Sequence, residues 1–95
     1  MNISDFQAMM KEIYFEKDKK RGIERTYMWL VQEVGELGRA LLKKDKGNIE
    51  EEFADVLAWL SSLANLLNVN LETVTVKKYN FICPRCGHNP CICKE

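Results

Sequence analysis

The chain carries no excess charge of either sign: 14 basic residues balance 14 acidic ones, and there is a single histidine. That removes the electrostatic footprint of a protein whose main partner is a nucleic-acid polymer or an anionic membrane. A small phosphorylated ligand stays possible, because it needs only local charge. No basic stretch leads into an apolar run at Met1-Asn-Ile-Ser-Asp-Phe, so no secretory signal is read there. Long apolar runs are missing too. The best of them, Phe53 to Leu67, is interrupted by Asp55, Ser61, Ser62 and Asn65, and is too short and too polar to span a bilayer. A cytoplasmic location is the default expectation. Cysteine is absent before Cys83, so no disulfide can staple the main body internally. Solenoid repeats and low-complexity tracts are also absent.

What remains suits a folded domain. With 95 residues, 46% hydrophobic and 29% charged, the chain has the composition of one globular unit with room for one core. A domain this short buries a modest share of its surface, so self-association would help it cover more apolar area.

The dominant pattern has helical period. Ser4 and Gln7 fit a capping box ahead of Phe6, Met9, Met10, Ile13 and Tyr14, which recur at three- and four-residue steps. The charged run Glu16 to Arg21 reads as a solvated face, and Gly22 ends this first helix. A second helix is predicted over about Glu24 to Lys44, with Tyr27, Leu30, Val31, Val34, Leu37 and Leu41 on one stripe. Lys43 and Lys44 suit its negative pole. Asp45, Gly47 and Asn48 then form a turn, and Asn48 with Glu51 opens a third helix from Ile49 to about Leu67. Its stripe is Phe53, Val56, Leu57, Leu60, Leu63, Ala64 and Leu67. Asn70 can cap a short fourth helix through about Lys78, although the β-branched run Val74-Thr75-Val76 also suits a strand. After Tyr79 the chain changes abruptly to Cys, Pro and Gly. The expectation is an all-α fold, an antiparallel bundle of about four helices over 1–80, with a Cys-rich tail over 81–95.

Helices two and three carry the same acidic device. At roughly 100° per residue, with Glu33 at zero, Tyr27, Leu30, Val34 and Leu37 fall between about 40° and 120°, and Glu36 near 300°. With Glu52 at zero, Phe53, Val56, Leu57 and Leu60 fall between about 40° and 140° and Asp55 near 300°. Each helix thus places an i, i+3 acidic pair along one border of its apolar stripe. Antiparallel packing through the short turn brings the two borders together. Four converging carboxylates call for a hard divalent cation with oxygen ligands, and Mg²⁺ is the natural one because it also holds phosphates. Glu12, Glu50 and Glu51 read as ordinary surface acids.

The stretch Leu30-Val-Gln-Glu-Val-Gly-Glu-Leu37, followed by Glu52-Phe-Ala-Asp-Val-Leu57, resembles the MazG-type nucleotide pyrophosphohydrolases, whose signature is ExxE on one helix and ExxD on the next. The resemblance covers roughly Glu24 to Lys78. It implies the all-α NTP pyrophosphatase fold, a homodimer or homotetramer, and Mg²⁺-dependent hydrolysis of nucleoside triphosphates to monophosphate and pyrophosphate, as in house-cleaning of nucleotide pools. It carries Glu33, Glu36, Glu52 and Asp55 across as metal ligands, with Glu33 or Glu36 positioning or deprotonating the attacking water. Where the family often has a further acid just before the first motif residue, this chain has Gln32. Lys78 resembles a lysine frequent in the family and is a candidate phosphate contact, as are Arg21 and Arg25. Trp29 is a candidate base-stacking residue, while Trp59 lies nearer the apolar stripe. Gly35 and Gly38 inside the second helix suit close helix approach.

The tail, Cys83-Pro-Arg-Cys86-Gly-His-Asn-Pro-Cys91-Ile-Cys93, has C-x₂-C-x₄-C-x-C spacing. Its first half looks like a zinc knuckle, and the four sulfurs could complete a tetrahedron around Zn²⁺, with His88 as a substitute ligand. Disulfides and a flexible reduced tail are the other states open to it. The rival to an enzyme is a helical adaptor that binds a partner through this tail; a regulator of nucleotide levels is a third possibility.

Overall fold

The computed structural model describes all 95 residues. Four helices follow one another, α1 (Ile3–Arg21), α2 (Ile23–Lys43), α3 (Lys46–Leu66) and α4 (Leu71–Lys78). There is no strand, so Val74-Thr75-Val76 is helical. Asn70 secures that choice: its side chain accepts from the Thr73 amide at 2.9 Å and starts α4 in spite of the β-branched residues.

Two helix starts differ from the sequence expectation. α1 is capped by Asn2, whose side chain accepts from the Asp5 amide at 2.8 Å while Asp5 accepts from the Asn2 amide at 3.2 Å. Ser4 and Gln7 are not the capping pair, because tertiary contacts take them. Ser4 Oγ reaches Asn70 Oδ1 at 3.4 Å, and the Ser4 amide donates to Glu72 at 3.2 Å. α3 starts at Lys46 with Asp45 as its cap, not at Ile49 with Asn48. Asp45 accepts from the Asn48 amide at 3.4 Å, so Gly47 and Asn48 lie within the helix. Lys44 takes the left-handed conformation (φ 56°), which leaves only Lys44 and Asp45 to turn the chain.

That short turn makes α2 and α3 antiparallel. The partners run in opposite senses along the two helices: Trp29 stacks on Trp59, and further along Glu33 comes near Glu52 and Asp55. α1 also runs against α3, since Gln7 meets Asn65, Tyr14 lines a cavity with Ala58 and Ser62, and Arg21 covers Trp59. α3 is therefore the central helix, with α1 and α2 both packed on it. α1 and α2 share one residue as a joint. Gly22 (φ 88°, ψ 167°) is both C-cap and N-cap; its amide donates to Asp18 O at 2.9 Å and its carbonyl accepts from Thr26 N at 3.1 Å. This backbone conformation is essentially restricted to glycine.

The interior is more polar than the stripes suggest. Met10, Ala40 and Ala64 are the buried apolar residues, beside buried Gln7, Asp18, Thr26, Ser61 and Ser62. Gln7 explains its own burial. Its amide donates to Asn65 Oδ1 (3.0 Å) and Val69 O (2.6 Å), its oxygen accepts from Leu71 N (2.9 Å), and Asn65 donates back to Gln7 O at 3.1 Å. One side chain thus ties α1 to the end of α3 and the start of α4. By contrast, Tyr27, Val31, Val34, Leu41, Phe53 and Leu60, read from the sequence as core, are exposed. Three long helices do not enclose that surface. No helix is long and apolar enough to cross a membrane.

Candidate active site

The antiparallel pairing of α2 and α3 decides which acids meet. Glu33 from α2 and Glu52 and Asp55 from α3 bring carboxylate oxygens within 4.8 Å of one another. Glu36, one turn further along α2, stands outside this trio, yet its charge still acts on Glu33. Glu33, Glu36 and Glu52 are half-buried and Asp55 is exposed.

The group is electrostatically unbalanced. Burial raises the Glu33 carboxyl above its ordinary range, a hydrogen bond shared with Glu52 raises it further, and the charges of Glu52, Asp55 and Glu36 add to the effect. Glu52 Oε2 is buried with no hydrogen-bond partner. A buried carboxylate oxygen without a donor is costly. No basic residue answers it: the two ion pairs of the chain are Lys19–Glu16 and Arg21–Asp18. A divalent cation bound by hard oxygens fits this donor set and would satisfy the orphaned oxygen.

An aromatic and basic layer lies next to the acids. The rings of Trp29 and Trp59 stack at 5.7 Å with an interplanar angle of 12°, and the Arg21 guanidinium sits 4.7 Å from the Trp59 centroid. Tyr14, Asp55, Ala58, Trp59 and Ser62 line a small cavity of about 120 Å³, so Asp55 belongs to this layer as well as to the trio. The sequence pattern assigned Tyr14 only to a packing stripe, and nothing local marks it as a neighbour of Asp55. The charged run before Gly22 is not wholly solvated either. Its lysines are exposed, but Asp18 is buried and binds Arg21 at 2.7 Å, and Arg21 also approaches Thr26 Oγ1 at 3.4 Å. Arg21 is thus committed to internal partners.

The remaining candidates lie on α2 and at the end of α4. Arg25 is exposed on α2, and Trp29 keeps 41% of its surface free beside Trp59. Lys78 faces the tail, its Nζ 5.6 Å from the Tyr79 ring. There Cys83, Cys86, Cys91 and Cys93 bring their sulfurs within 4.8 Å of one another. Backbone N–H groups of Ile92 and His88 hold the Cys86 thiol down at about 6, and those of Cys86 and Arg85 lower Cys83. Hydrogen bonds shared with Cys91 and Cys86 push Cys93 up to about 12. His88 stands outside this sulfur cluster, with its Nδ1 2.8 Å from Cys86 O.

The model of the MazG nucleotide pyrophosphohydrolase domain family matches residues 21–87. The chain belongs to the MazG family. The match begins at the last residue of α1, takes in all four motif acids, and ends within the cysteine tail. No curated protein matches the chain. Membership in the MazG family gives nucleotide pyrophosphohydrolase as the class of activity.

Proposed function

We propose that this chain is a Mg²⁺-dependent nucleoside triphosphate pyrophosphohydrolase that converts NTP to NMP and pyrophosphate, with residues 1–80 as the catalytic unit. The observation that carries this reading is the convergence of Glu33, Glu52 and Asp55 around the unpartnered Glu52 Oε2, in a member of the MazG family. Glu33, Glu36, Glu52 and Asp55 would hold the metal, which when bound offsets triphosphate charge and makes a coordinated water more acidic.

The protein's own groups divide the remaining work. Water's oxygen bonds to the α-phosphorus as the α–β phosphoanhydride bond breaks, pyrophosphate leaves, and the water's proton passes to a carboxylate. Glu36 or Glu33 positions that water and takes the proton; Glu36 stands outside the trio, and its charge acts on Glu33. Trp29 offers its free surface to a base, and Arg25, four residues before it on α2, is placed for a phosphate. Lys78 serves substrate in this reading only if a partner protomer's acids lie near it.

The exposed faces of α2 and α3, with Tyr27, Val31, Val34, Leu41, Phe53 and Leu60, support a homodimer or homotetramer. Light scattering with size exclusion tests this, and a monomer at all concentrations overturns it. A cytoplasmic setting suits a nucleotide substrate.

The activity test is direct. Incubation with a panel of standard, deoxy and modified NTPs plus Mg²⁺ should release monophosphate and pyrophosphate in equal amounts. No turnover on any member, or undiminished turnover in Glu52→Ala and Asp55→Ala, would sink the catalytic reading and favour the adaptor.

A further inference from the structure

The segment 79–95 has neither helix nor strand, and none of its residues is buried. Such a stretch has no core to fix it. Its internal backbone bonds are few: Cys83 N to His88 O at 2.9 Å and Gly87 N to Cys83 O at 2.7 Å, with Gly87 at φ 72° allowing the tight turn. Yet four sulfurs from across this segment meet in one place.

Their spacing is informative. Cys83 Sγ and Cys93 Sγ are 3.8 Å apart, and Cys86 Sγ and Cys91 Sγ are 3.9 Å apart. These two pairs share no atom, and all four sulfurs lie within 4.8 Å of one another, which fits two opposite edges of a tetrahedron. With Zn–S bonds of about 2.3 Å, a regular tetrahedron has edges of about 3.8 Å. The surroundings also suit thiolates. The Ile92 amide donates to Cys86 Sγ at 3.5 Å and the Cys93 amide to Cys91 Sγ at 3.3 Å. Lys78 and Arg85 line a cavity with Cys83, Cys91 and Cys93, which places two cations beside a centre that would carry net negative charge.

We propose that Cys83, Cys86, Cys91 and Cys93 bind one Zn²⁺ in a closed tetrathiolate site that folds the tail and takes no part in hydrolysis. Soft sulfur donors select zinc over Mg²⁺, whereas the carboxylates of α2 and α3 suit Mg²⁺, so the two sites call for different metals. Four protein ligands leave no open position for substrate or water. In place of a hydrophobic core, the ion itself holds residues 83–93 together. Lys78 then acts as a charge partner of the zinc centre. The proposal does not depend on the hydrolase reading.

The test uses the full, untagged chain, purified under reduction without added metal. Elemental analysis should find one zinc per chain, and the Glu52→Ala variant should keep it. Replacement with Co²⁺ should give the intense visible bands of a tetrahedral cobalt thiolate, together with sulfur-to-cobalt charge transfer. The double variant Cys83→Ser/Cys93→Ser should lose both metal and bands while its far-UV circular dichroism stays helical. Four freely titratable thiols with no zinc, two disulfides in the reduced preparation, or iron in place of zinc would each overturn the assignment. So would cobalt bands that survive the double substitution.

Discussion

Glu33, Glu52 and Asp55 reach one another from two helices of 21 residues each, whereas Cys83, Cys86, Cys91 and Cys93 meet inside a segment with no regular structure at all. The acids are carried to their places by helix packing, at the cost of leaving Glu52 Oε2 unpartnered and Glu33 inclined to keep a proton. The thiols have no such frame. A carboxylate site on helices should therefore survive removal of its cation in strained form, while a thiolate site on a loop should lose its shape with its ion.

The sharpest way to break this contrast is to remove one helical acid. Glu52→Ala should lower kcat/KM by more than about 100-fold, since even indirect metal-supporting residues cost 10–100-fold when lost. Helicity and zinc content should not change. A parallel loss of zinc would mean that the two regions are one unit. Next come the supports of the helical frame. Gln7→Ala leaves Asn65, Val69 and the Leu71 amide without partners and should destabilise by about 1–3 kcal/mol. Gly22→Ala should cost a similar ~1–3 kcal/mol, and from backbone conformation alone, because a Cβ there meets nothing within 4 Å. Denaturant unfolding measures both.

A smaller effect reads the strain directly. Because the folded Glu33 carboxyl is raised above 4.5, the folded chain holds that proton more tightly than the unfolded chain. Metal-free stability should be highest below that value and fall as pH rises through the raised one. Mg²⁺ at about 100 times its Kd should add roughly 2.7 kcal/mol at neutral pH. Glu33→Gln should flatten the metal-free profile, and thermal melts across pH, with and without Mg²⁺, check the sign. A flat wild-type profile would show that the acids are unstrained. The smallest effect is at the N-terminus: Asn2→Ala should cost about 1 kcal/mol by removing the cap of α1, and Ser4→Ala less, which thermal melts would resolve.

The helices were legible because apolar residues recur at helical period and three of the four start beside a capping side chain, Asn2, Asp45 or Asn70. The choice between neighbouring caps was not. Asn2 with Asp5 and Ser4 with Gln7 offer similar patterns, and what separates them is the engagement of Ser4 and Gln7 with residues more than sixty positions away. Wheel phase brought the two acidic borders together correctly, but it treated Glu33 and Glu36 alike, and only the packing of α3 separates them. Periodicity shows that a face needs covering and not what covers it. That is why Tyr27, Val34 and Phe53 read as core and are exposed here. Asp18 was lost in a charged run because nothing in the sequence shows that Arg21 turns inward to meet it.

Gly22 has a consequence for what this chain can tolerate in length. With one residue serving as the end of α1 and the start of α2, the connection holds no slack. An insertion or deletion within α1 would rotate everything before it by about 100° against the rest. Gln7 and Met10 would leave α3 together, and no loop exists to absorb the error. Changes of length belong instead beyond Cys93, where they shift no helical phase.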